Sequence, residues 1–501
     1  MIFRDWLKEL DYTLLQGSVD VETEDVIYDS RKAAPGKVFV AMKGIRVDGH
    51  SFIPQVLKAG VRVLVTERPV EEELKNSGLS EEELKQVTVV MVEEGRHALA
   101  LLSATRFDHP AKKLVMIGVT GTKGKTTTTH MIRAILLAAG KKVGMIGTTG
   151  TVIGDVVTPT LNTTPESYEL HQAFAQMVEA GCEYAVMEVS SQGIKMHRTD
   201  GLYFNYAIFT NISPDHIGPG EHADFEEYLY YKTRLLNMCG IGLVNKDDKH
   251  APQIIKAANC ELYTYSEESK EADFVASDIR YVSQPDFVGT EFHISGKYDM
   301  EVRLGIPGLF NVVNALAAVS VCSFLGLDQA RISHALENIR VNGRMEIVYT
   351  SERCTVLVDY AHNAVSMESL LSTLRDYKPK RLVCVFGCGG NRSKDRRYSM
   401  GEIGGKMADL SIITADNSRY EKVEDIIADI RGSIEKTGGK FIEIPDRREA
   451  IRYSILHAQP GDMVAVIGKG HEDYQEINGV RHHFLDREVI EETVKELGEK
   501  A

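Results

Sequence analysis

An α/β protein built from three domains is the architecture that the sequence predicts, on three observations. At 501 residues the chain is too long for one ordinary domain of about 100 to 200 residues. Short β-branched runs followed by a Gly or Asp turn and then a helical pattern recur along it, which is the βαβ alternation of a parallel sheet. These runs form two separate series. The first comprises VRVLVTE, KLVMIGVTG, KVGMIGTTG, EYAVMEVSS and YAIFTNIS. The second begins after residue 345 with CTVLVDYAH, RLVCVFGCGG, LSIITADN, KFIEIPD and DMVAVIGKG. The opening hundred residues make a third unit, with strands expected over 25–30 and 37–41 and a charged helical stretch over 71–86. The expected domains are 1–111, 112–341 and 342–501, the last break marked by the Asn342-Gly343 turn.

Composition removes several classes. Hydrophobic residues at 43% and charged residues at 26% are globular values, which excludes a disordered, collagenous or disulfide-framework chain. Lys plus Arg number 58 against 72 Asp plus Glu, so a net charge of −14 opposes nucleic acid as a partner. Seven scattered cysteines without a CxxC pair read as free thiols in a reducing compartment. Apolar runs such as LVMIGV are far shorter than the roughly twenty residues of a membrane-spanning helix. A soluble, cytoplasmic protein, expected to be a monomer, follows.

The most specific local signal is LVMIGVTGTKGKTTTTHMIR at 114–133, an apolar strand running through Gly118, Gly121 and Gly124 into Lys125, Thr126 and a helix. Glycines let successive N–H groups of Thr120, Gly121, Thr122, Lys123 and Gly124 turn toward a polyphosphate. Lys125 adds a point charge, the Thr126 hydroxyl can reach Mg²⁺, and the helix N-terminus adds its dipole. Five residues rather than four separate Gly118 from Gly124, so this is not a strict GxxxxGK(S/T). ATP or GTP is expected, but motors, kinases, switches and ligases all use such a loop.

Neighbouring strand ends narrow the choice. EYAVMEVSS places Glu188 at the carboxyl end of a parallel strand, where a carboxylate can hold magnesium beside the loop. FTNISPDHIGPGEH carries Asn211, Asp215, His216 and His222 at the end of another. In FEEYLYYKTRLL, Tyr228 and Lys232 lie four apart and share a helix face, though spacing alone does not distinguish Lys232 from an ordinary exposed lysine.

With these residues in place, the chain resembles the Mur ligases, the ATP-dependent amino-acid-adding enzymes of peptidoglycan synthesis. Nine motifs carry the resemblance in family order: TGTKGKT at 120–126, NTTP at 162–165, MEVSSQG at 187–193, FTNISPDH at 209–216, YLYYK at 228–232, GLFNVVNALAA at 308–318, GRME at 343–346, DYAH at 359–362 and GKGHEDYQ at 468–475. DSRKAAPGKVFVA at 29–41, DGHSFI at 48–53 and DNSR at 416–419 are similar to the members that add the third amino acid. The resemblance implies an N-terminal UDP-binding domain, a central P-loop-type ATPase domain and a C-terminal Rossmann-like domain.

Carried over residue by residue, it implies that Ser30 contacts the UDP part of the substrate. Asn162, Thr163, Thr164, Ser190 and Arg198 would hold UDP-MurNAc-L-Ala-D-Glu. Thr126, Glu188 and His216 match metal positions, and Asn314, Arg344 and Asp359 match positions that hold the adenosine part of ATP. Lys232 sits where the family carries a carbamylated lysine, a change that turns a cation repelling Mg²⁺ into a carboxylate binding it. The implied reaction activates the D-Glu carboxylate as an acyl phosphate, which the incoming amine then attacks.

For that amine, meso-diaminopimelate-using members carry DNPR, whose Arg reads the distal carboxylate. Here Asp416, Asn417, Ser418 and Arg419 keep the Arg and lack the Pro. Arg392, Gly468 and Glu472 also match the diaminopimelate pattern, so meso-diaminopimelate is expected, with L-lysine or another diamino acid as the alternative. Met196, where some relatives have a substrate-contacting Gln, and Ala364, in place of a Pro, depart from the pattern, and the IGPGEH segment leaves His222 without a role. A folylpolyglutamate synthase-like ligase is opposed by the N-terminal DSR and DGH motifs, and a non-catalytic nucleotide-binding regulator by intact Lys125, Glu188, His216 and Lys232.

Overall fold

A computed structural model describes residues 1–44 and 47–498. The chain divides into two compact units, Met1–Asp273 with Ala317–Gly326, and Phe274–Leu316 with Leu327 onward.

The first unit opens with a five-stranded sheet ordered Thr13–Gln16, Thr88–Met91, Val63–Thr66, Lys37–Val40, Asp25–Ile27. All neighbours run parallel except the Thr13–Gln16 edge. Its central strands are apolar throughout because both faces are covered. Val38, Val40, Val63, Val65 and Val90 pack with Trp6 and the helix Gly95–Arg106. Phe39, Leu64 and Val89 face Ile53, Val56 and Leu57 on the other side. The charged stretch over 71–86 is not one helix. It splits into Glu71–Lys75 and Glu81–Lys85, because Gly78 turns with φ +72° and Ser80 starts a new helix through a reciprocal capping box with Glu83.

The central sheet of this unit orders its strands Glu261–Ser266, Cys239–Asn245, Phe204–Phe209, Val115–Thr120, Tyr184–Glu188, Val143–Gly147 in parallel. An antiparallel extension, Gly150–Ile153 and Val156–Thr158, follows. Val115–Thr120 lies between Tyr184–Glu188 and Phe204–Phe209; the chain leaves Val115–Thr120 toward Val143–Gly147 on one side and leaves Phe204–Phe209 toward Cys239–Asn245 on the other. Such a reversal opens a crevice at the carboxyl ends. Register sets what meets there: Glu188 pairs with Val119, and Phe209 with Thr120.

The second unit contains an antiparallel meander, Phe274–Gln284, Phe287–Gly296 and Met300–Leu304. Its larger sheet orders Glu346–Thr350, Cys354–Asp359, Asp462–Ile467, Arg381–Phe386, Leu410–Ile413, Phe441–Glu443, parallel except for the first strand. A hairpin of Tyr474–Ile477 and Val480–His483 stands beside it as a separate two-stranded sheet. Arg447 and Asp486 form a fully buried ion pair at 2.7 Å, and the Arg447 guanidinium also donates to the carbonyls of Ala415 and Ile467. It thereby ties together the segments that lead into Asp416 and Gly468. No helix among the described residues is long and apolar enough to cross a membrane.

One buried group gives the first unit an acid liability. His171, on the helix Ser167–Glu179, packs edge-to-face on Phe174, and neither ring nitrogen has a hydrogen-bond partner. Burial pushes its pKa down to about 3. The unfolded chain, with a histidine pKa near 6.5, therefore binds the extra proton first, and stability falls as the pH drops from about 6.5 toward 3, by up to about 1.4 kcal/mol per pH unit. His171→Leu is expected to remove that slope, which denaturant titrations at a series of pH values will measure.

Candidate active site

The loop between Val115–Thr120 and the helix Lys125–Ala138 is shaped by two glycines. Gly121 has φ +147°, and a Cβ there would fall 1.9 Å from the Thr210 hydroxyl. Gly124 caps the helix with φ +85°. Gly118 belongs to the strand instead: the space its side chain would fill holds the Phe204 ring, so it serves packing and not the loop. The next strand's end clamps the loop from outside. Thr122 N–H donates to the Asn211 carbonyl at 2.9 Å, Lys123 N–H donates to Asn211 Oδ1 at 2.9 Å, and Asn211 Nδ2 donates back to the Lys123 carbonyl at 3.1 Å. Thr210 N–H reaches the carbonyl of buried Thr120.

Lys125 Nζ donates to the carbonyls of Gly121 at 2.8 Å and Thr122 at 3.1 Å. Lys232 Nζ donates to the same Gly121 carbonyl at 2.8 Å. Far from an ordinary exposed lysine, Lys232 is 2% exposed, and no carboxylate lies within ion-pairing distance of it among the described residues. Its helix, Phe225–Thr233, buries Tyr228 and Lys232 on one face, with the amine 4.7 Å from the Tyr228 ring. Tyr228 in turn meets the Thr122 hydroxyl at 3.1 Å. Burial, reinforced by the nearby Lys125 charge, pushes the Lys232 pKa far below the ordinary lysine value.

Beside the loop, the Thr126 hydroxyl lies 3.0 Å from both oxygens of Glu188. Glu188 is buried at the strand end, not on a solvated rim. Thr148 completes its surroundings, donating from its backbone N–H at 2.9 Å and its hydroxyl at 3.3 Å. Gly147 leaves the room: a Cβ there would lie 2.3 Å from Glu188 Oε1. The Thr148 hydroxyl also touches that of Thr163 at 3.0 Å. Thr164 bonds the Glu188 carbonyl and the Ser190 hydroxyl, Ser190 caps the helix Ser191–Lys195, and Arg198 donates to the Thr164 carbonyl at 3.0 Å while pairing with Glu166 at 2.8 Å. Thr163, Thr164, Ser190 and Arg198 thus form one bonded group continuous with Glu188.

Asn162 sits exposed next to this group. Ser30 begins a 3-10 turn, Ser30–Lys32, whose capping residue is Asp29. His216 is exposed, has φ 53°, and meets Glu221 at 3.0 Å and Asp215 at 3.8 Å. His222 is fully buried and hydrogen-bonded to Ser191 at 2.9 Å, which fits a packing role in the turn. Met196 is the C-cap of the helix Ser191–Lys195.

In the second unit, Asp359 accepts the N–H groups of Met345 at 2.8 Å and Ala361 at 2.7 Å. Arg344 lies 4.8 Å from the Tyr360 ring, and Asn314 donates to Asn311 at 3.2 Å. Burial pushes the Asp359 pKa up, against the pull of those N–H donors and Arg344. Asn363 caps the helix Ala364–Asp376 through its side chain, so Ala364 begins the helix without the Pro that would favour that position.

At the other strand ends, Asn417 donates to Glu472 at 3.0 Å, and Lys469 Nζ reaches Asn417 at 3.1 Å and Glu472 at 3.3 Å. Gly468 has φ +112°, and a Cβ there would lie 2.7 Å from an Asp416 carboxylate oxygen. Arg419, also in the left-handed region at φ 50°, donates to the Gly390 carbonyl at 2.6 Å. The carbonyl of buried Ser418 lies where a Gly390 side chain would go. Gly389 stands between Arg419 and exposed Arg392: its Cβ position is 3.3 Å from Arg419 Nη1 and 3.9 Å from Arg392 Cγ.

Sequence reasoning missed Thr148, Glu166 and Lys469. The first ends a strand two places from the loop strand, and the last lies beside Gly468 in a turn. Position at a strand end was the available signal for both.

Comparisons with known proteins agree with this arrangement. Three family models match in succession: "Mur ligase family, catalytic domain" at 23–107, "Mur ligase middle domain" at 119–322, and "Mur ligase, glutamate ligase domain" at 343–470. A UDP-N-acetylmuramoyl-L-alanyl-D-glutamate–2,6-diaminopimelate ligase of Caldanaerobacter subterraneus subsp. tengcongensis is 39% identical, covering 98% of both chains. The enzyme of the same name from Clostridioides difficile is 36% identical over 99% of this chain and 100% of its own. A solved structure of a ligase with that name superposes with a TM-score of 0.72 at 30% identity, covering 95% of this chain and 96% of the other. With three family models matched in succession and a relative 39% identical over 98% of its length, the chain belongs to the Mur ligase family.

Proposed function

We propose that this chain is an ATP-dependent ligase that joins meso-diaminopimelate to the D-glutamyl residue of UDP-N-acetylmuramoyl-L-alanyl-D-glutamate, releasing ADP and phosphate, in the cytoplasmic stage of peptidoglycan synthesis. The observation that carries the reading is the convergence of Lys125, Lys232, Thr126 and Glu188 on one glycine loop, with Thr163, Thr164, Ser190 and Arg198 bonded directly behind it. Full-length identity of 36–39% to diaminopimelate ligases supports the substrate. Labour divides by domain: 1–111 for the UDP end, with Ser30, 112–341 for ATP and the dipeptide, and 342–501 for the amino acid, as a monomer.

The donor set suits magnesium. Thr126 and Glu188 supply hard oxygen ligands 3.0 Å apart, and Gly147 keeps a side chain out of the space beside them. Magnesium held there would neutralise charge on the β- and γ-phosphates of ATP. A carboxylate of the D-glutamyl residue attacks the γ-phosphorus, the bond to ADP breaks, and an acyl phosphate forms. Lys125 and the loop N–H groups take up the negative charge that develops. The free amine of the amino acid then attacks the acyl carbon, the C–O bond to phosphate breaks, and the amine loses a proton. Arg198 orients the dipeptide, and Asn314, Arg344 and Asp359 hold the adenosine.

Lys232 fits a carbamylated state. CO₂ reacts with a neutral amine, and burial beside Lys125 keeps this amine neutral at a pH where ordinary lysines are charged. The carbamate would be an anion beside Lys125, which shares the Gly121 carbonyl with it, and His216 packs near Tyr228 of the same helix, ring centroids 6.3 Å apart. Lys232→Ala is expected to lower kcat at least ~100-fold, and acetate, a carboxylate small enough for the vacated space, is expected to restore part of it.

For the amino acid, Arg419 and Arg392 beside Gly389 form a carboxylate clamp, which a lysine substrate cannot use, and Glu472 with Asn417 and Asp416 receives the amino group. Initial rates with meso-diaminopimelate, L-lysine and L-ornithine at saturating nucleotide substrate test this. The diaminopimelate rate is expected to dominate and to fall ~100-fold or more in Arg419→Ala. A dominant lysine rate untouched by that substitution would contradict it.

A further inference from the structure

The segment that presents Arg198 to the dipeptide group carries a second set of ligating side chains on its other side. His197 follows the helix Ser191–Lys195 and adopts φ 55°, an uncommon backbone for a non-glycine residue. Its Nδ1 lies 2.8 Å from Asp200 Oδ2. His97, from the helix Gly95–Arg106 that covers the N-terminal sheet, brings its own Nδ1 within 2.6 Å of that same oxygen. All three ligand atoms lie within 4.8 Å of one another. The side chains of His97 and His197 are 44% and 39% exposed, so the group is open to solvent.

We propose that His97, His197 and Asp200 form a binding site for a divalent transition ion of the zinc class, which cross-links the N-terminal sheet's covering helix to the Arg198 segment. Two imidazole nitrogens and one carboxylate oxygen are a borderline donor set. It favours Zn²⁺, Co²⁺ or Ni²⁺ and is poor for Mg²⁺, which requires oxygen ligands. A tetrahedral ion with bonds of about 2.0–2.1 Å places neighbouring ligand atoms about 3.3 Å apart. Side-chain rotation at this open surface opens the present 2.6 and 2.8 Å separations to that value. Each imidazole binds through the Nδ1 lone pair with its proton on Nε2, and any imidazolium present releases one proton to solvent. Water fills the fourth position.

The location gives such an ion a consequence. Arg96, next to His97, pairs with Glu166 at 3.2 Å, and Glu166 pairs with Arg198. The ion would add a second tie parallel to this bridge, fixing the Arg198 segment against the N-terminal helix.

The test uses the full chain, stripped of metal and kept in excess magnesium so that oxygen-donor sites are filled. Co²⁺ titration is expected to give one equivalent of a visible d–d spectrum that Zn²⁺ displaces, and Zn²⁺ is expected to raise Tm by several degrees. His97→Gln and His197→Gln should each weaken Co²⁺ binding at least tenfold and abolish the Tm shift, whereas His216→Gln should leave both unchanged. The two histidine variants lie on different elements, so misfolding of one leaves the other to decide. Absence of a stoichiometric Co²⁺ spectrum, persistence of that spectrum in both variants, or its loss in His216→Gln would overturn the proposal.

Discussion

Two lysine amines share one carbonyl oxygen, and much of the first unit is arranged to permit it. Lys125 and Lys232 both donate to Gly121 at 2.8 Å, one from the start of the loop helix and one from a separate helix. Such an arrangement concentrates positive charge where water is scarce, which is unfavourable until an anion arrives or one amine loses its charge. In the proposed function the phosphates of ATP supply the first remedy, and the neutral or carbamylated state of Lys232 the second. The geometry that brings the two amines together is strict. Gly121 has no room for a side chain beside Thr210, and Asn211 holds the outer turn from both sides.

The rest of the site follows from where that loop is anchored. Because Val115–Thr120 is flanked by Tyr184–Glu188 and Phe204–Phe209, the strand ends deliver Glu188 to one side of the loop and Thr210 and Asn211 to the other. Thr164 and Arg198 then extend the network from Glu188 toward the proposed dipeptide site. The second unit uses the same device with different chemistry. Its strand ends present Asp359, Gly468 and the Asp416–Arg419 turn, and the buried Arg447–Asp486 pair holds the segments between them. Removing one partner of such a pair leaves a buried charge uncompensated, so its value here is in fixing loop positions more than in net stability.

What could be read from the sequence divides along physical lines. The parallel strands were legible because burial on both faces produces continuous β-branched runs, and the phosphate loop because its glycines and Lys-Thr pair have few other uses. Gly118 shows the limit of that signal: a packing glycine and a loop glycine look alike until Phe204 is seen filling the space. The break at Gly78 within a charged stretch was hidden for a related reason, since acidic runs flank it on both sides. Lys232 was legible only through family resemblance, because a nine-residue helix rich in Tyr and Glu gives little clue to which face is buried. Thr148 and Lys469 stand at strand ends, which the sequence does show, but their partners Glu188 and Asn417 lie on segments distant in the chain.

In the proposed reaction a substrate carboxylate, activated at the glycine loop, passes through an acyl phosphate. Its most direct test is to supply UDP-N-acetylmuramoyl-L-alanyl-D-glutamate with ¹⁸O in the D-glutamyl carboxylates and to examine the phosphate released during ligation by mass spectrometry. Carboxylate attack on the γ-phosphorus predicts one ¹⁸O atom in each phosphate formed. Phosphate free of label, with the ligated product still made, would rule out an acyl-phosphate intermediate.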